Sequence, residues 1–99
     1  MTISERDRLE SSIETTFLNR MSPLGVLCMK AEGLGKGWPD RILISHDARV
    51  AFVELKKKGK KPEPAQKGVH RKLRSRGFSV FLVDCIADID DVAEWVKYA

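Results

Sequence analysis

Only two cysteines and one tyrosine occur among the 99 residues, and no CxxC pair is present. Cys28 and Cys85 lie far apart, each in an apolar stretch, with no histidine at metal-ligand spacing. This excludes a disulfide scaffold and a structural zinc site, and predicts two buried free thiols of a reduced cytosolic protein. Long hydrophobic runs are also missing: none approaches the roughly 18–20 residues that a membrane helix needs. The first ten residues, MTISERDRLE, carry no apolar signal segment. The expectation is a soluble protein that stays in the cytoplasm where it is made. Internal repeats and a domain linker are absent, so residues 1–99 are expected to form one domain. With 42% hydrophobic and 32% charged residues, the chain is not of disordered composition. A chain this short buries roughly 60–65% of its unfolded surface, so dimerisation would add needed stability.

What is abundant is positive charge, and it is concentrated. Lys56, Lys57, Lys58, Lys60, Lys61, Lys67, Arg71, Lys72, Arg74 and Arg76 fall within one stretch interrupted by a single acid, Glu63, a net +9. The whole chain carries only +4, and five acids lie between Asp84 and Glu94. One side of the molecule should therefore be strongly positive, which suits a polyanion such as nucleic acid; the bland counterpart is a solvated charged face.

Ser4 reads as the cap of a helix reaching about Arg20, with Asp7 as its reciprocal partner. Leu9, Ile13 and Phe17 recur at four-residue spacing, and Glu14 falls beside that stripe. Ser22, Pro23 and Gly25 end the helix. Strands are expected over Gly25–Lys30, Arg41–Ser45 and Arg49–Lys56, with a glycine-rich loop (EGLGKGW) after the first and a turn at His46 and Asp47 after the second. Pro62 and Pro64 open a basic helix over about Ala65–Arg76, with Val69 and Leu73 as its apolar positions and Gly77 as its stop. Ser79–Asp84 is a continuous apolar strand, and Asp88, with Asp91 at the third position, reads as the cap of a last helix burying Val92, Trp95 and Val96. The order is helix, three strands, helix, strand, helix. The first three strands form an antiparallel meander, and the third and fourth are parallel through a right-handed crossover. The fold class is therefore α/β, a mixed sheet flanked by helices.

Polar residues in the strand region carry the chemistry. Glu54 and Lys56 are two apart in a strand and share a face, among Phe52, Val53 and Leu55. Asp40 heads the preceding strand and comes opposite Glu54 if the two strands pair. Two carboxylates with an ammonium beside them suit a hard cation such as magnesium or manganese. The plain alternatives are a turn aspartate and a cross-strand ion pair.

Pro39-Asp40 followed fourteen residues later by Glu54-Leu55-Lys56 resembles the PD-(D/E)xK nuclease signature. The fuller set resembles the virus-type replication-repair nuclease domain, VRR-NUC, in its stand-alone phage or bacterial form: Gly37-Trp38-Pro39-Asp40, Phe52-Val53-Glu54-Leu55-Lys56, Gln66, and Gly77-Phe78-Ser79-Val80. The likeness covers residues 10 to 95. It implies a restriction-endonuclease-like αβββαβ core with an extra C-terminal helix. It implies a metal-dependent endodeoxyribonuclease in which Asp40, Glu54 and the Leu55 carbonyl hold Mg2+ or Mn2+. Lys56 would orient or deprotonate the attacking water, Gln66 would aim its amide at the same site, and Glu14, with Glu10 as rival, would reach the metal. Lys30, Lys36, Gly37, Lys57, Lys58, Lys60, Lys61, Lys67 and Arg71 would track DNA. Trp38 is placed either to stack on a base or sugar or simply to pack. His46 and His70 read as a turn residue and a basic-face residue without a catalytic part.

The stand-alone form further implies a homodimer acting on branched DNA such as a Holliday junction, in bacterial host cytoplasm if phage-encoded. The meander edge, the first helix or the Val92–Val96 region are candidate dimer contacts. The reading of a different class is a non-catalytic basic nucleic-acid-binding module on the same scaffold.

Overall fold

The computed structural model describes residues 5–31 and 33–97, with side chains from Ile13 onward. The elements run α1 (Glu5–Met21), a 3-10 turn (Ser22–Leu24), β1 (Leu27–Lys30), β2 (Arg41–Ile44), β3 (Val50–Leu55), α2 (Pro64–Ser75), β4 (Ser79–Val83) and α3 (Ile86–Lys97). The Ser4 cap lies outside the described residues, as do the side chains of Asp7, Leu9 and Glu10.

The four strands form one sheet in the order β1-β2-β3-β4. β1 with β2 and β2 with β3 are antiparallel, and β3 with β4 is parallel. Helices cover both faces, as an α/β sheet with a crossover requires. On one face, α1 and α3 bury Phe17, Met21, Ile89, Val92 and Ala93 against Leu43, Ala51, Val53 and Val83. On the other, Leu73 of α2 packs with Phe52 and Val80, and Val69 and Trp38 close the edge of that smaller cluster. Alternation along β3 thus sends Ala51 and Val53 one way and Phe52 the other. Glu54 follows Phe52 toward α2, which is how a carboxylate comes to be buried in this strand.

Local chemistry sets the boundaries of α2. Pro64 occupies the first turn, where its missing N–H costs nothing. At the other end Gly77 takes φ +90°, its N–H donates to the Arg74 carbonyl, and the Phe78 N–H donates to the Leu73 carbonyl. These paired bonds close the helix, and only glycine adopts that φ without strain.

Three expectations need correction. The last helix begins at Ile86, not Asp88; Asp88 sits at its third position, where its carboxylate accepts the Asp84 N–H at 3.1 Å. The thiols are free but half-buried rather than buried. The Val92–Val96 region offers no exposed patch: Val92 and Ala93 are interior, and Trp95 and Val96 pack on the same core. Trp95 also lies 4.5 Å beneath the Arg49 guanidinium, which donates to the Trp95 and Val96 carbonyls at the end of α3.

Candidate active site

Strand register brings the two carboxylates together. Arg41 pairs with Val53, so Asp40, one residue earlier, lies opposite Glu54. Asp40 is anchored on β3 itself, its Oδ2 accepting the Leu55 N–H at 2.8 Å. Pro39 before it is fully buried and removes slack from the approach. The loop that delivers both is pressed against α2. A Cβ on Gly37, at φ +87°, would stand 2.6 Å from the Ala65 carbonyl oxygen and 3.2 Å from the Gln66 nitrogen. Gly37→Ala is therefore expected to destabilise the fold by about 2 kcal/mol or more, through overpacking against backbone and an unfavourable φ. Urea unfolding measures it, and a change within 0.5 kcal/mol, about the noise of a surface substitution, would contradict the contact.

Beside this pair opens a cavity of about 310 Å3, lined among others by Glu14, Lys30, Trp38, Asp40, Leu55 and Lys56. Glu54 lies behind that lining, 2% exposed. Its Oε2 accepts from Gln66 Nε2 at 3.2 Å, and Gln66 Oε1 in turn accepts the Glu63 N–H that opens α2. Its Oε1 lies 3.5 Å from His70 Nε2, and neither of these buried atoms has a hydrogen-bond partner among the described residues. Burial pushes the Glu54 carboxyl up to about 8, helped by the charge of, and a hydrogen bond with, Asp40, with Lys56 pulling the other way. Burial also holds the His70 imidazole below its usual range, assisted by the Arg74 and Lys56 charges.

His70 thus departs from the basic-face expectation: it is 4% exposed and faces Glu54. The pattern was present in the sequence, because Gln66, His70 and Leu73 fall at i, i+4 and i+7 of one helix face. A second unanticipated residue is Arg41, 9% exposed, whose Nη2 donates to Glu14 Oε1 at 3.1 Å. Glu14 is therefore at the cavity but engaged by Arg41. Lys36, Lys57, Lys58, Lys60, Lys61, Lys67 and Arg71 lie outside the cavity lining. The Lys57–Lys61 turn is tethered by the Gly59 N–H donating to Asp84 Oδ2 at 3.1 Å. Asp84, Cys85 and Asp88 bring potential ligand atoms within 4.8 Å of one another. Both carboxylates there accept backbone N–H groups, Asp84 from Gly59 in the Lys57–Lys61 turn and Asp88 from Asp84 just before α3, which accounts for the cluster without an ion.

No family model matches the chain. The protein named "Putative nuclease p44", of Acyrthosiphon pisum secondary endosymbiont phage 1, is 33% identical over 76 residues, covering 76% of this chain and 82% of that protein. A solved structure described as "VRR_NUC domain" matches with a TM-score of 0.75 at 32% identity, covering 86% of this chain and 94% of its own. The chain belongs to the VRR-NUC family. Its restriction-endonuclease-like sheet and the nuclease character of the family follow from those likenesses. Among the described residues of this VRR-NUC domain, no helix is long and apolar enough to cross a membrane.

The donor set of the VRR-NUC site fits a hard divalent cation. All its candidate ligand atoms are oxygens, the Asp40 charge helps push the Glu54 carboxyl up, and Glu54 Oε1 is buried without a hydrogen-bond donor among the described residues. A cation held by Asp40 and Glu54 would favour their ionised forms.

Proposed function

We propose that this VRR-NUC domain is a metal-dependent, structure-selective DNA endonuclease that hydrolyses phosphodiester bonds at branches, Holliday junctions among them, as a homodimer. The observation that carries the reading is the Asp40–Glu54 carboxylate pair at a cavity that also holds Lys56. Asp40, Glu54 and the Leu55 carbonyl would hold Mg2+ or Mn2+, and Glu14, which also lines the cavity, would contribute through water. Such a cation, when bound, supplies Lewis acidity toward the phosphodiester and acidifies water. Lys56 would orient the attacking water and offset the charge developing on phosphorus oxygens, an electrostatic role strongest in a partly desolvated site. Gln66 would hold Glu54 through its amide, and His70 faces the second Glu54 oxygen.

Lys30 and Lys36, with Gly37 between loop and helix, and Lys57, Lys58, Lys60, Lys61, Lys67 and Arg71 would draw the DNA backbone to the cavity. A homodimer would set two such sites on a symmetric substrate. Leu27 and Met29 on the edge strand β1, 60% and 43% exposed, support the meander edge as its contact. The phage relative supports action in a bacterial host cytoplasm.

The test is cleavage of a labelled four-way junction and its linear duplex in Mg2+, Mn2+ or EDTA, with Lys56→Ala alongside. Metal-dependent paired nicks in the junction, lost by at least a hundredfold in Lys56→Ala, are expected. Equal cutting of both DNAs removes the branch preference, a monomer by light scattering removes the dimer, and tight binding without cleavage leaves the basic binding module.

A further inference from the structure

A second concavity also has Trp38 in its lining. It measures about 300 Å3 and is lined by Trp38, Val69, Lys72, Leu73 and Arg76. Its floor is apolar: Leu73 is buried and Val69 half-buried, both in the smaller core cluster. Its wall is a ring held in place. The Trp38 indole stands edge-on to Phe52 at 5.9 Å, and Phe52 stands edge-on to Phe78 at 5.5 Å. Lys72 and Arg76, one helical turn apart and exposed, supply the rim, where Arg76 Nη1 donates to the Lys72 carbonyl at 3.0 Å.

Trp38 is shared by both cavities and is two residues from Asp40. The two cavities therefore adjoin across one side chain, within reach of neighbouring nucleotides of one strand. Something flat and apolar fits between an indole and an aliphatic floor, and something anionic fits two cations on the rim. A nucleotide is both. In a duplex, bases are covered by their neighbours, so only an unpaired base can offer its face to Trp38.

We infer that the Trp38–Val69–Leu73 concavity binds one unpaired nucleobase of the substrate strand beside the scissile phosphate, with Lys72 and Arg76 on its backbone. The inference deepens the nuclease reading and rests on it. It gives that reading a physical origin for a preference for branches, where unpaired bases come without the cost of extrusion.

The experiment follows Trp38 emission in metal-free buffer, where nothing is cut. Trp38 and Trp95 are the two tryptophans of the chain, and Trp95→Phe leaves Trp38 as the reporter. Oligothymidylate and a fully paired hairpin duplex are the probes. Quenching by oligothymidylate and not by duplex is expected. Val69→Arg, which fills the floor while adding a positive charge, should weaken oligothymidylate binding roughly tenfold and leave duplex binding unweakened. Lys72→Glu, at an exposed position that tolerates change, should weaken oligothymidylate binding as well. Anisotropy of labelled strands on the chain with both tryptophans repeats the comparison without the Trp95 substitution. Equal quenching by both probes, or Val69→Arg binding both as before, overturns the inference; if junction cleavage persists there, the nuclease reading survives alone. Selective quenching in a chain that cleaves nothing retires the nuclease reading and keeps the base site.

Discussion

Glu54→Gln is expected to abolish cleavage by at least a thousandfold and, in metal-free buffer, to raise thermal stability above pH 8. The two effects share one cause. The Glu54 carboxyl, near 4.5 when unfolded, is pushed up to about 8 by burial and by Asp40. The folded chain therefore holds a proton that the unfolded chain has released. Stability from this group is fully present below pH 4.5, falls as pH rises, and is gone above about pH 8, with a slope of at most about 1.4 kcal/mol per pH unit. A neutral amide of the same shape never incurs that cost and keeps a partner for Gln66. His70, held below its usual range, loses stability only as pH falls, so it does not contribute to the slope above pH 7. The proposed metal-dependent catalysis needs the opposite state. On that reading a cation displaces the proton, so Mn2+ affinity should rise with pH up to about 8, and binding at pH 7 should release a proton. Removing one of the two proposed carboxylate ligands would forfeit several kcal/mol of charge stabilisation, and about 4 kcal/mol corresponds to a thousandfold in rate. Melting in EDTA between pH 6 and 9, calorimetry of Mn2+ in two buffers, and junction cleavage check the three parts. A Glu54→Gln chain that melts below wild type at pH 8.5 would sink the argument, as would one that still cuts.

The second large effect concerns His70, which touches Glu54 and lies outside the lining of the proposed catalytic cavity. It is a positioning residue. Its Nε2 faces the one Glu54 oxygen that lacks a donor, at 3.5 Å, slightly beyond hydrogen-bond length. A small movement of Glu54 toward a cation is compatible with contact between them, and groups that orient a ligand carboxylate are commonly worth tenfold to a hundredfold in metal affinity or activity. His70→Phe keeps the volume and removes the donor; His70→Gln keeps a donor of similar reach. Phe should weaken Mn2+ binding and cleavage together by about tenfold to a hundredfold, and Gln should recover most of both. If Phe and Gln lower stability alike and neither alters Mn2+ affinity, His70 is only packing.

Much of the candidate site's placement was readable in advance because strands count in twos. Asp40, Glu54 and Lys56 are set by alternation and by a two-strand register, both of which the pattern of apolar residues specifies. The helix-strand order was readable for the same reason, with glycine and proline marking the ends. His70 was not, because a helix dense in lysine and arginine resembles a solvated one. Val69 and Leu73 determine which side of that helix is buried, and His70 shares it with Gln66. Asp88 was misplaced for a related reason: an aspartate suits both the cap and the first turn, and only the β4–α3 connection distinguishes them.

By itself, the sequence determined the αβββαβ order, the carboxylate pair and the basic stretch, since these depend on periodicity, spacing and charge along the chain. Tertiary structure alone decided that Glu54 is withdrawn behind the cavity with a raised pKa, that His70 faces it, and that Arg41 engages Glu14. Those outcomes depend on which surfaces meet and how much water remains between them. That is a property of packing in three dimensions and not of any local pattern.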